Sequence, residues 1–213
     1  MNLAEILLAI ALSLPTPWYG QAKAPETELE YRERLQTIAT AIALEAEANE
    51  DWQWDSTSLA AATFVTWYSE SRFALEVHNG SGQSRFGEDA GKARCLGQLH
   101  KTGWVPKSIW KNLAGTDLEA TRRCARATMK VLAMQGRRCK MKDKPNLWAL
   151  ARMEAAYQHG MSCAPTKAST ARARRWVKVM GRIEQMTKER EAALDAEPAL
   201  VPTTAPMAAP LPN

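Results

Sequence analysis

The chain has 213 residues, 46% of them hydrophobic and 24% charged, with 28 basic against 23 acidic side chains for a net charge of +5. This composition belongs to a folded globular protein and excludes wholesale disorder, a collagen-like chain and a polytopic membrane protein. Charge is unevenly spread: residues 1–51 hold three Lys/Arg against nine acids, whereas residues 119–146 hold nine Lys/Arg against Glu119 and Asp143. Such a basic stretch is either a solvated helix face or an attractor of polyanions such as nucleic acid, anionic lipid or cell-wall polymers.

The first 27 residues begin with an apolar run, Ile6 to Leu14, too short to span a bilayer. They read either as a signal-like segment without a basic start or as a helix packing on the core, followed by a linker. From 28 to 48, Leu29, Leu35, Ile38, Ile42 and Ala46 recur near helical spacing, with acids at the start where the helix dipole favours them. A polar break follows, with Ser56 or Ser58 as the expected N-cap of the run LAAATFVTWYSESRF. That run is apolar until Glu70, so the helix is buried and Glu70 lies in or beside a core. Residues 79–91, NGSGQSRFGEDAG, read as a Gly-rich loop. Helical patterns resume at 117–135 and 146–160. The last long helix, about 169–195, lines up Trp176, Val179, Met180, Ile183 and Met186 on one face. Residues 196–213 form an Ala/Pro-rich tail with little to bury. The fold class is therefore mainly α, with one domain over 28–195.

No P-loop, nucleophile-elbow or zinc-protease motif occurs, and His78, His100 and His159 lie too far apart to suggest a metal set. Cys95, Cys124, Cys139 and Cys163 form no C-x-x-C pair; four cysteines allow three disulfide pairings, which persist in oxidising surroundings. Glu70 is the group in an unusual setting. Desolvation at the end of an apolar helix would raise its pKa toward about 6 and let it donate a proton at neutral pH. An ion pair with an arginine such as Arg72 is the competing use.

Downstream, Glu70-Ser71-Arg72-Phe73 is followed by Cys95-Leu96-Gly97-Gln98-Leu99 and then by Ala155-Ala156-Tyr157-Gln158-His159-Gly160. In kind and order these pieces resemble the soluble, lysozyme-like lytic transglycosylase family, with its E-S-x-F/W, G-L-M-Q-I/L and A-x-Y-N-x-G steps, over roughly Leu59 to Trp176. The resemblance implies a lysozyme-like domain with the Gly-rich loop as an insertion beside the cleft. It implies that Glu70 is the acid and then the base that cleaves the MurNAc-GlcNAc β-1,4 bond of peptidoglycan with a 1,6-anhydro product. Ser71 would hold substrate or loop, Gln98 would line the cleft, and the Tyr157 hydroxyl would reach toward the catalytic carboxyl. Cys95, Gly97 and Gln158 depart from the family residues, and Lys101 stands where a Pro often follows. Glu88 and Asp89 in the inserted loop are candidates for a second carboxylate, which about 6.5–9.5 Å from Glu70 would give a hydrolase like the goose-type lysozymes. The resemblance also suggests Cys95–Cys163 and Cys124–Cys139 bridges. It calls for no metal or cofactor. Glycan strands, with other envelope or phage virion proteins, are the expected partners, in the periplasm or cell envelope or on a virion. The alternative is a non-enzymatic basic helical protein that binds DNA or another polyanion through residues 122–144.

Overall fold

The computed structural model describes residues 2–15, 26–52, 54–80, 92–102, 105–141, 146–160 and 162–196. Eight helices and one short hairpin make up these residues. They are α1 (Leu3–Ser13), α2 (Glu28–Glu47), α3 (Ser56–Ser71), α4 (Leu75–His78), β1 (Ala93–Arg94), β2 (Leu99–His100), α5 (Lys107–Trp110), α6 (Leu118–Arg138), α7 (Leu147–His159) and α8 (Lys167–Ala196). The two strands pair antiparallel, with Ala93 opposite His100 and Arg94 opposite Leu99.

The long helices start where local chemistry satisfies their first free N–H groups. Asn2 with Glu5 and Thr27 with Glu30 form complete capping boxes at α1 and α2. Asp117 and Asn146 cap α6 and α7 by accepting from Ala120 N and Ala149 N. Asp55, rather than Ser56 or Ser58, caps α3, accepting from Ser58 N. The shorter Ser58 side chain is buried and takes the Trp52 indole N–H at 2.8 Å instead. Each such cap contributes about 1 kcal/mol.

Helix α3 is the axis of the fold. It is buried along nearly its whole length, from Ser58 through Tyr68, and packs against α2, α6 and α8. Helix α7 lies between α6 and α8, and α1 lies on α2 and α8. Of the two readings of the N-terminal segment, the structure has the packing helix: Ile6, Leu7, Ile10 and Ala11 belong to the same core as Phe64, Trp67 and Trp176. Fully burying side chains of this size stabilises by about 1.5–3 kcal/mol each. In α2 the predicted stripe is offset at its start, where Leu29 is exposed while Leu35, Ile38, Ile42 and Ala46 are buried. The Ala/Pro tail from 197 onward and most of the 79–91 loop lie outside the described residues. No helix among the described residues is long and apolar enough to cross a membrane.

Much of the basic stretch turns to acceptors on the chain itself. Arg122 and Arg126 both close on the buried Glu45 carboxylate at 2.7 Å and so clamp α6 to α2. Arg123 donates to Asn112 O, Arg137 to Asp51 O and Arg138 to Gly160 O.

The disulfides join Cys95 to Cys124 and Cys139 to Cys163, with Cα separations of 6.1 and 5.6 Å. The pairing suggested by the family resemblance is therefore corrected. Helix α6 extends to Arg138, further than its periodicity indicated, so Cys124 and Cys139 stand at separate levels of one straight helix. At 1.5 Å rise per residue they are about 22 Å apart, far beyond the roughly 4.4–6.8 Å that a bridge spans. Cys124 instead meets the hairpin turn, and Cys139, at the end of α6, meets the segment after α7. Bonds of this kind persist in oxidising surroundings.

Peptide mapping without reductant should recover cross-linked 95–124 and 139–163 peptides and no free thiol. The bridges close sequence separations of 29 and 24 residues. Replacing either pair by serine should cost about 3–4 kcal/mol in chemical denaturation; recovery of a 95–163 peptide would refute the assignment.

Candidate functional site

The end of α3 is held in a strained but heavily supported turn. The Ser71 hydroxyl donates to Trp67 O at 2.7 Å and accepts from Phe73 N at 3.2 Å. Arg72 and Phe73 then adopt left-handed backbone at φ 53° and 56°, unfavourable for residues with a Cβ. Arg34, itself paired with Glu26, donates to Phe73 O at 2.6 Å. Consecutive residues in this region cost on the order of 1 kcal/mol or more each and persist only where their surroundings dictate them. Ser71 is thus engaged in holding the turn, with its hydroxyl both donating and accepting within it.

Glu70 does not pair with Arg72. Its carboxylate, 20% exposed, meets Arg172 Nη1 from α8 at 2.5 Å. The same nitrogen lies 3.6 Å from Glu154 Oε2 of α7. Thr66, one turn before Glu70, donates to Glu154 Oε1 at 3.0 Å. With its amide oxygen facing α8, Gln158 accepts from Arg172 Nε at 2.6 Å. Three helices therefore converge on one guanidinium. Burial alone would depress the Arg172 pKa, but the charges of Glu70 and Glu154 outweigh it and raise it. The neighbouring Glu154 carboxyl is perturbed as well. Burial in the core pushes its carboxyl up to about 7 against the opposing pull of Arg172 and Thr66, and the negative charge of Glu70 adds to the rise. Glu154 Oε2 has no hydrogen-bond partner.

The hairpin turn closes the arrangement. Cys95 and Gln98 occupy left-handed backbone at φ 54° and 49°, and the Gln98 amide donates back to Cys95 O at 3.2 Å. Between them, Gly97 is the point on which Tyr157, Trp67 and Thr128 converge. A Cβ there would stand 2.5 Å from Thr128 Oγ1 and 3.1 Å from both Trp67 Nε1 and Tyr157 OH. A side chain at this position would collide with all three, so the packing admits only glycine. The Tyr157 hydroxyl donates its single proton to Gly97 O at 2.6 Å, and so it binds the hairpin rather than the Glu70 carboxylate. Its phenol is raised well above the ordinary range, by burial and then by the charges of Glu70 and Glu154.

Glu70, Gly97 and Tyr157 thus come from three separated stretches into one neighbourhood. Ser71 and Gln98 border it with their side chains bonded to their own loops. Glu88 and Asp89 lie outside the described residues. Among the described residues no group of three or more His, Cys, Asp or Glu is placed to hold a metal ion. Sequence reasoning missed Glu154 and Arg172. For Glu154 the signal was present, a lone acid inside the apolar LWALARMEAAY run, the same logic that singled out Glu70. Arg172 is one of many cations in its helix and carried none. Comparison with models of known families, with curated proteins and with solved structures finds no match.

The raised Glu154 pKa makes a signed prediction. The folded state holds this proton more tightly than the unfolded chain, so the associated stability is complete below about pH 4.5. It is lost as pH rises through about 7. Glu154→Gln should lack this loss and gain on the order of 3 kcal/mol relative to the wild type by pH 8. Urea titrations of both proteins between pH 4.5 and 8 measure it, and a constant difference would refute the perturbed carboxyl.

Proposed function

We propose that the protein is a peptidoglycan-cleaving lytic transglycosylase of the lysozyme-like kind, with Glu70 as its acid and base. The observation that supports the reading best is the convergence just described. Of the stretches that resemble the family's three motif steps, the Tyr157 segment bonds the hairpin at Gly97, and the charge of Glu70 reaches the Tyr157 phenol. Strained turns at 72–73 and 95–98 fit a site whose geometry is held at the expense of local stability.

On this reading Glu70 gives a proton to the glycosidic oxygen between N-acetylmuramic acid and N-acetylglucosamine. It then takes one from the muramyl 6-hydroxyl as the 1,6-anhydro ring closes, and is restored. Arg172 holds the Glu70 carboxyl in place between cycles, and saccharide entering the site exchanges for that contact. Burial pushes the Glu154 carboxyl up to about 7, so close to neutral pH a large share of it carries its proton. Disulfide bonding fits work in the periplasm, in the cell envelope or on a phage virion.

The Glu70–Arg172 ion pair itself favours a second reading, in which it only clamps α3 to α8 and the protein binds an anionic polymer without cleaving it. Products decide between the two. Purified peptidoglycan incubated with the wild type should release muropeptides one water lighter than hydrolysis products, and Glu70→Gln should release none, a loss of at least about a hundredfold. Fully hydrated products would indicate a goose-type hydrolase with a second carboxylate such as Glu88 or Asp89. No release by either protein would establish the binding reading.

A further inference from the structure

On the other side of α3 from Glu70 the charges have a different character. Arg72, Arg175, Lys178 and Arg182 ring a basin of about 330 Å³. Its apolar lining comes from Ile10, Leu14, Tyr68 and Val179. Arg175, Lys178 and Arg182 follow helical spacing and make one stripe of α8, while Arg72 arrives from the strained turn that ends α3. Two guanidiniums share a single ring: Arg72 lies 4.5 Å and Arg175 5.4 Å from the Tyr68 centroid.

Several arginines elsewhere in the fold are held by carboxylates. Arg34 is matched by Glu26, Arg122 and Arg126 by Glu45, and Arg172 by Glu70. None of the four basin cations has a carboxylate within ion-pair distance among the described residues. Arg175 has only Ser69 Oγ, at 2.7 Å, and Arg182 only Gln185 Oε1, at 3.0 Å. Burial and then the neighbouring Arg72 charge hold Arg175 below its ordinary pKa. Like charges gathered around an apolar floor are relieved by one kind of occupant, an anion that also carries hydrocarbon.

We propose that this basin binds an anionic phospholipid, its phosphate among Arg72, Arg175, Lys178 and Arg182 and its glycerol and acyl portion over Leu14, Ile10 and Val179. Its extent favours a lipid over nucleic acid. The α8 stripe from 175 to 182 is only about 10 Å long, room for one headgroup, whereas a nucleic-acid groove follows several phosphates. The assignment does not depend on what Glu70 does.

The test uses the full chain and sedimentation with phosphatidylcholine vesicles, with and without phosphatidylglycerol, alongside calorimetric titration with inorganic pyrophosphate. The protein should pellet with the phosphatidylglycerol vesicles and stay in solution with pure phosphatidylcholine. Lys178→Gln/Arg182→Gln, at exposed positions, should weaken vesicle binding about 25-fold, roughly fivefold for each cation removed. Leu14→Gln should weaken vesicle binding while leaving pyrophosphate binding unchanged, which separates the apolar contact from the anionic one. Circular dichroism should show native helix content in both variants. Retention by pure phosphatidylcholine, or binding indifferent to the double variant, would overturn the proposal. So would pyrophosphate binding without vesicle binding, the mark of a free-phosphate site, or displacement from vesicles by a short DNA duplex at matched phosphate concentration.

Discussion

One guanidinium organises the centre of this protein. Helix α3 brings the partly exposed Glu70 and helix α7 the buried Glu154 to the same cation, and a buried carboxylate beside a second one is tolerable only if a cation joins them or a proton neutralises one. Arg172 supplies the cation, and burial still pushes the Glu154 carboxyl up against its pull. Because the arginine comes from α8, this electrostatic requirement also fixes how α8 lies across α3. From there Trp176 donates its indole N–H to Ser58 O at 3.1 Å, and Val179 and Ile183 continue the contact into the core. The packing of α8 and the environment of Glu70 therefore share one constraint.

Rigidity around this centre comes from outside it. The hairpin turn is tied to α6 by the Cys95–Cys124 bond and to α7 by the Tyr157 hydroxyl, and the end of α3 is tied to α2 through Arg34. Four non-glycine residues in left-handed backbone lie within these two turns. Such conformations would relax in isolation, so the disulfide, the buried arginine and the capping hydroxyl supply the stability the turns lack. Loss of any one of them would be felt at Glu70, although none of them touches it.

Charge counted along the sequence and charge left over in the fold are different quantities. The densest basic stretch, in α6, puts five arginines onto acceptors of the chain itself. Four cations with no carboxylate in ion-pair reach among the described residues, Arg72, Arg175, Lys178 and Arg182, come together instead on α8 and at the end of α3. There they are gathered by tertiary structure from residues a hundred positions apart.

The helical architecture was legible in the sequence because helix formation is a local affair of periodicity and caps: α2, α3, α6, α7 and α8 all lie close to where the apolar spacing put them. Glu70 was legible for the same reason, as an acid at the end of a run with no polar face. Local signals could not say which cation would meet it, that the Tyr157 proton goes to Gly97 O, or that Cys139 reaches Cys163. These depend on how helices cross, and on α6 running several residues beyond its last clear apolar repeat. The sequence by itself determined which segments are helices and which acid lies at the edge of the core. Only the tertiary structure decided the partners, because long-range pairings are chosen by the mutual burial of whole helix faces and no single residue carries that information.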